Sequence, residues 1–205
     1  MLIEQQLHVI SDTHFFHANI TKYCSRPADV DALMEKNWRE IVRCNDIVIH
    51  LGDFAFKDAG RAAELCKRLP GTKILILGNH DRSRATMRKI GFDEVWPPSK
   101  DFRIVGEYMF QVIDGRVPVI ADSSIIKLSH RPIPDVDFPY FHGHIHNNPC
   151  PFDDDRHYYP MPRIRGRNVC VEVINYRPVP LMALLGDLDW MEKNLPIKPR
   201  SGKDG

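Results

Sequence analysis

The chain has 205 residues, 43% of them hydrophobic, and its 28 basic and 27 acidic side chains leave a net charge of +1. That length supports one domain with a real core, while the balanced charge offers no basic field to hold nucleic acid by charge alone, so nucleic acid is neither implied nor excluded. No apolar stretch approaches the roughly 20 residues that span a bilayer, no signal-peptide architecture opens the chain, and the five cysteines (Cys24, Cys44, Cys66, Cys150 and Cys170) form no C-x-x-C pair, which argues against a disulfide framework or a thiolate zinc site. The expectation is a soluble, reduced, cytoplasmic protein in which Cys44, Cys66 and Cys170, lying in apolar patterns, are core thiols.

Three early segments share one plan. Residues 7–14 (LHVISDTH), 46–53 (DIVIHLGD) and 73–80 (KILILGNH) each run apolar and then turn polar, the pattern of strands buried on both faces. Helical patterns separate them. Residues 29–44 carry an apolar stripe of Leu33, Met34, Trp38, Ile41 and Val42 with Asp29 as N-cap; residues 58–69 and 81–90 follow as two more helices. Strand–helix alternation predicts a parallel sheet. Beyond residue 91 the texture changes: residues 102–115, 123–130, 140–146 and 168–175 read as strands with little helix between, a second, mixed sheet. Residues 147–167 read as a surface loop and 196–205 as a polar tail, leaving one domain over 1–195.

Each early strand ends in ligand-type residues: Asp12 and His14, then Asp53, then Asn79-His80-Asp81. In an open α/β sheet the carboxyl ends of the strands line one crevice, so these residues meet in space. Asp12 and His14 are two apart, as are His144 and His146, and on an extended backbone each pair faces one way. His130 ends its own run in the same manner. Asp12, His14, Asp53, Asn79, His130, His144 and His146 exceed what one tetrahedral zinc needs. They suit two divalent first-row ions, manganese foremost, with iron, zinc or nickel also suited. Asp53, central in chain order, is the natural bridge between ions roughly 3.5–4 Å apart.

In that order, D-x-H, G-D, G-N-H-D, an isolated His and G-H-x-H resemble the calcineurin-like metallophosphoesterase superfamily, from about residue 7 to residue 175. The resemblance implies a four-layer α/β/β/α sandwich of two mixed sheets flanked by helices. It implies that Asp12, His14 and His146 hold one ion, that Asn79, His130 and His144 hold the other, and that Asp53 bridges them. It makes His80 a substrate-facing histidine oriented by Asp81, with a hydroxide between the ions attacking phosphorus and His80 stabilising charge or protonating the leaving oxygen.

Several residues carry two readings. Asp81 either orients His80 or caps the third helix. His17 is either a substrate contact or a loop histidine bonded to backbone; Arg131 is either a phosphate clamp or a surface arginine. His142 reads as a structural neighbour of the ligands and His50 as a satisfied core histidine. Phe15, Phe16 and Tyr23 either stack on an aryl group or pack the first loop. Asp153, Asp154 and Asp155 read as a solvated loop, and the alternating Arg163, Arg165 and Arg167 as either a polyanion contact or an exposed strand edge.

The expected function is hydrolysis of a small phosphate ester, a phosphodiester before a phosphomonoester. The alternatives are a nuclease for single-stranded nucleic acid and a non-catalytic binding scaffold. A protein phosphatase is disfavoured, because GDFAFKD (52–58) lacks the G-D-x-V-D-R-G arginine. No membrane partner is expected, and oligomeric state is left open.

Overall fold

β-branched runs build the first sheet, and the two histidines its central strands bury, His8 and His50, are hydrogen-bonded in place. A computed structural model describes residues 5–105, 109–113, 125–133, 140–148 and 166–186. In chain order the elements are β1 (Leu7–Ile10), α1 (Ile20–Tyr23), α2 (Val30–Ile41), β2 (Ile47–His50), α3 (Ala59–Arg68), β3 (Thr72–Ile76), α4 (Arg84–Ile90), β4 (Glu94–Trp96), β5 (Ser99–Val105), β6 (Met109–Ile113), β7 (Ile125–Ser129), β8 (Tyr140–His142), β9 (Gly166–Asn168), β10 (Val179–Pro180) and α5 (Leu181–Gly186). The first sheet has the order β10-β1-β2-β3-β4, parallel except for β10; the second has the order β6-β5-β7-β8-β9. In the second, β5 pairs antiparallel with β6 and β7, while β7, β8 and β9 run parallel. Two mixed sheets with accompanying helices make the α/β sandwich that the sequence predicts.

One core joins them. Val9, Val48, Ile49 and Leu75 from the first sheet and Ile126, Leu128 and Phe141 from the second are buried in a single apolar cluster with Met34 and Trp38 of α2. Trp38 satisfies its indole by donating from Nε1 to the Pro70 carbonyl at 3.1 Å. No helix among the described residues is long and apolar enough to cross a membrane.

Several expectations need correcting. The run 102–115 is not one strand but parts of the antiparallel neighbours β5 and β6. The segment 168–175 leaves the sheet after Asn168 and coils instead. There Val173 and Ile174 donate to the Cys170 carbonyl and Tyr176 to that of Val171, while Asn175 and Tyr176 adopt left-handed φ values of +57° each. Alternating apolar residues mimic a strand there because Val169, Val171 and Ile174 are all buried by the turn.

Asp29 precedes α2 but makes no capping bond; Asp58 and Ser83 are the acceptors that cap α3 and α4. Cys44 lies past the end of α2 and is exposed, whereas Cys66 and Cys170 are buried. The short β4, β10, α1 and α5 carry no clear periodicity and are additions to the predicted plan. Cys150, the aspartates 153–155, His157, the arginines 163 and 165, and the tail 196–205 lie outside the described residues.

Candidate metal centre

The loops after β1, β2, β3, β7 and β8 meet at one end of the two sheets. Backbone bonds join them directly: Asp12 N donates to Gly52 O, His14 N to Asp53 O, and Gly143 N to His130 O, all at 2.9–3.0 Å. The extended-strand parity expected for the paired ligands is not how they converge. β1 ends at Ile10 and β8 at His142, and the ligand-type residues beyond them are in the left-handed region: Asp12 (φ +56°), His14 (+46°), Asp53 (+58°), His144 (+73°) and His146 (+53°). That region costs a non-glycine residue about 1–3 kcal/mol, and such strain concentrates at functional sites. Glycine supplies the close approaches: a Cβ on Gly143 would overlap Ser11 Oγ and Asp12 Oδ2.

The two buried carboxylates share one design. Asp12 Oδ2 accepts from Ser11 Oγ (2.5 Å), His144 N (2.8 Å) and Cys170 Sγ (3.3 Å). Its Oδ1 has no hydrogen-bond partner and faces His14 Nε2 at 3.8 Å and His146 Nε2 at 3.9 Å. Asp53 Oδ1 accepts from His80 N at 2.8 Å. Its Oδ2 stands between His14 Nε2 (3.5 Å) and His130 Nε2 (3.6 Å). These are not hydrogen-bond distances; they are separations that two ligands of one ion adopt.

The imidazole protons sharpen the point. Burial holds His130 down at about 4, with Leu51, Asp81, Arg131 and His80 adding smaller effects, so the ring is neutral near pH 7. Its Nδ1 donates to the Leu51 carbonyl at 2.8 Å, which leaves a lone pair on Nε2. That lone pair faces Asp53 Oδ2 and Asn79 Oδ1, the latter at 2.9 Å. His130 Nε2 and Asp53 Oδ2 converge with no proton between them, beside an Asn79 Oδ1 that, among the described residues, otherwise accepts only from Arg131 Nη2 at 3.4 Å, an arrangement that a cation resolves.

His144 is also held near 4, by burial and the charges of His130 and Arg131. His14 falls to about 2 through burial and neighbouring charges, and its Nε2 is another orphan. Asp12 rises to about 7 through burial and repulsion from Asp53. Two donor groups emerge, Asp12–His14–His146 and Asp53–His130–His144, each with ligand atoms within 4.8 Å of one another, and Asn79 joins the second. The donor set of oxygens and imidazoles fits divalent first-row ions.

His80 is exposed at the rim, its ring 5.5 Å from that of His14. Asp81 neither caps α4 nor touches the His80 ring. Its carboxylate accepts from the backbone N–H groups of Asp53 (2.8 Å), Phe54 (3.0 Å) and Gly78 (2.8 Å). The reason is topological: three donors of the β2 and β3 loops would be unsatisfied without it. His17 reaches the edge of the cluster, its ring 5.8 Å from that of His14 and tilted by 40° against Phe56 at 3.9 Å.

Arg131 is exposed and donates from Nη1 to His144 Nε2 at 2.8 Å, so a cationic group already faces the second donor group. His142 is buried beside the site and donates from Nδ1 to the Gly143 carbonyl. His50 is a core histidine as expected. It accepts at Nδ1 from Gly52 N and donates at Nε2 to Thr13 Oγ1, which in turn donates to the Phe54 carbonyl. Of the aromatic trio, Phe15 is core, Phe16 packs under the Arg61 guanidinium, and only Tyr23 is exposed.

Two residues escaped the sequence reading. Arg26 is buried and donates to the carbonyls of Asp12 and Thr13, at 2.6 Å each, and to Glu172. Glu172 accepts in turn from His146 Nδ1 at 2.9 Å. A glutamate inside the apolar run NVCVEVIN was the available signal, since a buried carboxylate needs partners.

The fold and this cluster fit the class of metal-dependent hydrolases, and the family match supports that class. Residues 6–193 match the family model of the calcineurin-like phosphoesterases, and the chain belongs to that family. It is 35% identical over 183 residues to the uncharacterized protein MJ1445 of Methanocaldococcus jannaschii, covering 86% of this chain and 88% of that one. It is also similar to the crystal structure of a protein of unknown function, AQ665 of Aquifex aeolicus, with a TM-score of 0.65, 26% identity, and coverage of 88% of this chain and 98% of that one. A novel archaeal phosphodiesterase aligns at a TM-score of 0.43 and 15% identity over 80% of this chain and 82% of its own, a likeness too slight to carry a substrate across.

Proposed function

We propose that the chain is a dinuclear metal-dependent phosphodiesterase acting on small phosphate esters. The observation that supports this most is Asp53 Oδ2, aimed between the Nε2 atoms of His14 and His130 at 3.5 and 3.6 Å, too far for a hydrogen bond to either. Asp12, His14 and His146 would hold one ion; Asn79, His130 and His144 the other; Asp53 would bridge. Lewis acidity is what the ions would contribute, making water nucleophilic near neutral pH and offsetting charge on the phosphoryl oxygens. His80, exposed at the rim, would protonate the leaving oxygen. Arg131 would pair with a phosphoryl oxygen.

Purified protein with added manganese should hydrolyse an activated aryl phosphodiester, and chelation should stop it; inactivity with every first-row ion would overturn the proposal. Single-stranded DNA or RNA cut as fast as the aryl ester would favour a nuclease instead.

His80→Ala should lower turnover by about a hundredfold while both ions stay bound. Loss of the ions would make His80 a ligand.

Proton release gives a second check. Asp12 rises to about 7 in the metal-free protein. Burial lowers His146, but its bonds to Cys24 and Glu172 hold it up at about 10. A cation at this group must displace the Nε2 proton of His146 and, below neutrality, the Asp12 proton too. A raised pKa means the proton is kept to higher pH, so affinity here weakens as pH falls through 7. In the second group His130 and His144, near 4, have no proton to lose, although burial also holds the Asp53 carboxyl above its usual range. Titration calorimetry in buffers of different protonation enthalpy should count roughly two protons released at about pH 6 and roughly one at about pH 8. Equal counts would contradict the assignment.

A further inference from the structure

The two donor groups differ in what stands behind their histidines. His130 leans on a neutral backbone carbonyl, that of Leu51. His146 leans on Glu172, and Glu172 leans on Arg26: its Oε1 accepts from Arg26 Nε at 2.8 Å and lies 2.6 Å from Arg26 Nη2. All three groups are drawn from distant parts of the chain. Arg26 follows α1, His146 follows β8, and Glu172 sits in the turn after β9, which wraps inward because Val171 and Ile174 are buried on either side of it.

We infer that Glu172, held by Arg26, is a positioning residue that fixes His146 with Nε2 toward Asp12 and so sets the cation affinity of the Asp12–His14–His146 group. The inference rests on the dinuclear reading above. The reasoning is one of donors and acceptors. A carboxylate bonded to a guanidinium stays ionised and can only accept. The His146 Nδ1 facing it must therefore donate, and the lone pair available for an ion is the one on Nε2. A carboxylate behind a metal-binding histidine also raises the basicity of the ring.

Arg26 does a second thing with the same guanidinium. Nη1 and Nη2 donate to the carbonyls of Thr13 and Asp12, so one buried cation anchors both the Asp12 loop and, through Glu172, His146. Asn168 completes the brace by donating from Nδ2 to the His146 carbonyl at 2.5 Å.

Cys24, His146 and Glu172 also lie close enough to one another to suggest a separate cation site. The Arg26 guanidinium on that same carboxylate argues against it, as does the use of Nδ1 as a donor. Cys24→Ala should then leave metal content unchanged.

The test is manganese titration of metal-free wild type, Glu172→Gln and Glu172→Asp, with histidine nitrogen NMR on each. Glu172→Gln removes the charge that enforces the His146 tautomer. It should weaken one ion by about 10–100-fold, leave the other unchanged, and, in zinc-loaded samples where the Nε2 proton has been displaced, shift the His146 nitrogen signals from a fixed Nδ1–H form to a mixture. Should Glu172→Gln not fold, Glu172→Asp decides: it keeps the charge for Arg26 but draws back from His146, and should weaken the same ion. Equal weakening of both ions, or loss of thermal stability with unchanged affinities and tautomer, would reduce Glu172 to a structural residue and overturn the inference. A wild type that binds no ion would overturn the dinuclear reading, and this one with it; two ions bound unchanged in the variants would overturn only the role of Glu172.

Discussion

Asp53→Asn should nearly eliminate turnover and strip at least one ion from the site. The substitution changes almost no volume, and Asp53 is buried, so the fold should persist. What it removes is the one negative charge that faces both donor groups: Oδ2 at 3.5 Å from His14 Nε2 and 3.6 Å from His130 Nε2. An amide nitrogen turned toward those lone pairs would donate to them and occupy the place of the cations; an amide oxygen there would lack the charge to bridge. We expect kcat/KM for an aryl phosphodiester to fall by about ten-thousandfold, roughly 5.5 kcal/mol of transition-state stabilisation, and metal content to fall from two ions to one or none. Retention of both ions with normal turnover would mean that Asp53 is not the bridge.

Gly78→Ala should be a strongly damaging substitution for a single added methyl group. A Cβ at Gly78 would overlap Asp53 Oδ1 and lie 2.5 Å from Asp53 N. The backbone on that side is pinned, because Asp81 accepts from Asp53 N, Phe54 N and Gly78 N together. Overpacking against atoms that can move costs about 1–3 kcal/mol; here the cost should be at the top of that range or above it. A loss of about 3 kcal/mol would lower Tm by about 6–12 °C, and the Asp53 carboxylate would be displaced. Gly60→Ala is the internal control. It lies in α3, and the nearest atom to its Cβ is Asp58 Oδ1 at 3.4 Å. Alanine there should be neutral or stabilise by up to about 1 kcal/mol. Equal effects of the two substitutions would show that crowding at the strand ends is not what Gly78 relieves.

How much of this was legible in the sequence depends on which physical rule carried the information. Asp12, Asp53, Asn79 and His130 were readable because parallel strands deliver their carboxyl ends to one place, so a polar residue just past an apolar run is already located. The helices at 30–41, 59–68 and 84–90 were readable from apolar spacing, although their caps were not: Asp29 has the right chemistry and makes no bond, while Ser83 does the capping. The direction of Asp81 was hidden, since only the folded loops reveal three N–H groups in need of an acceptor.

The left-handed backbone at Asp12, His14, His144 and His146 was hidden as well, because the same spacing of two also fits a strand. Residues 168–175 misled for a related reason: alternation was produced by burial on both sides of a turn. Arg26 and Glu172 are paired across 146 positions, a contact that no local pattern encodes, although a lone glutamate among valines was the hint.

The most direct test of the whole account is anomalous scattering from crystals of the manganese-loaded protein. It should give two peaks flanking Asp53 Oδ2, one enclosed by Asp12, His14 and His146 and the other by Asn79, His130 and His144. A single peak, or a peak beside Cys24 and Glu172 with none at Asp53, would contradict it.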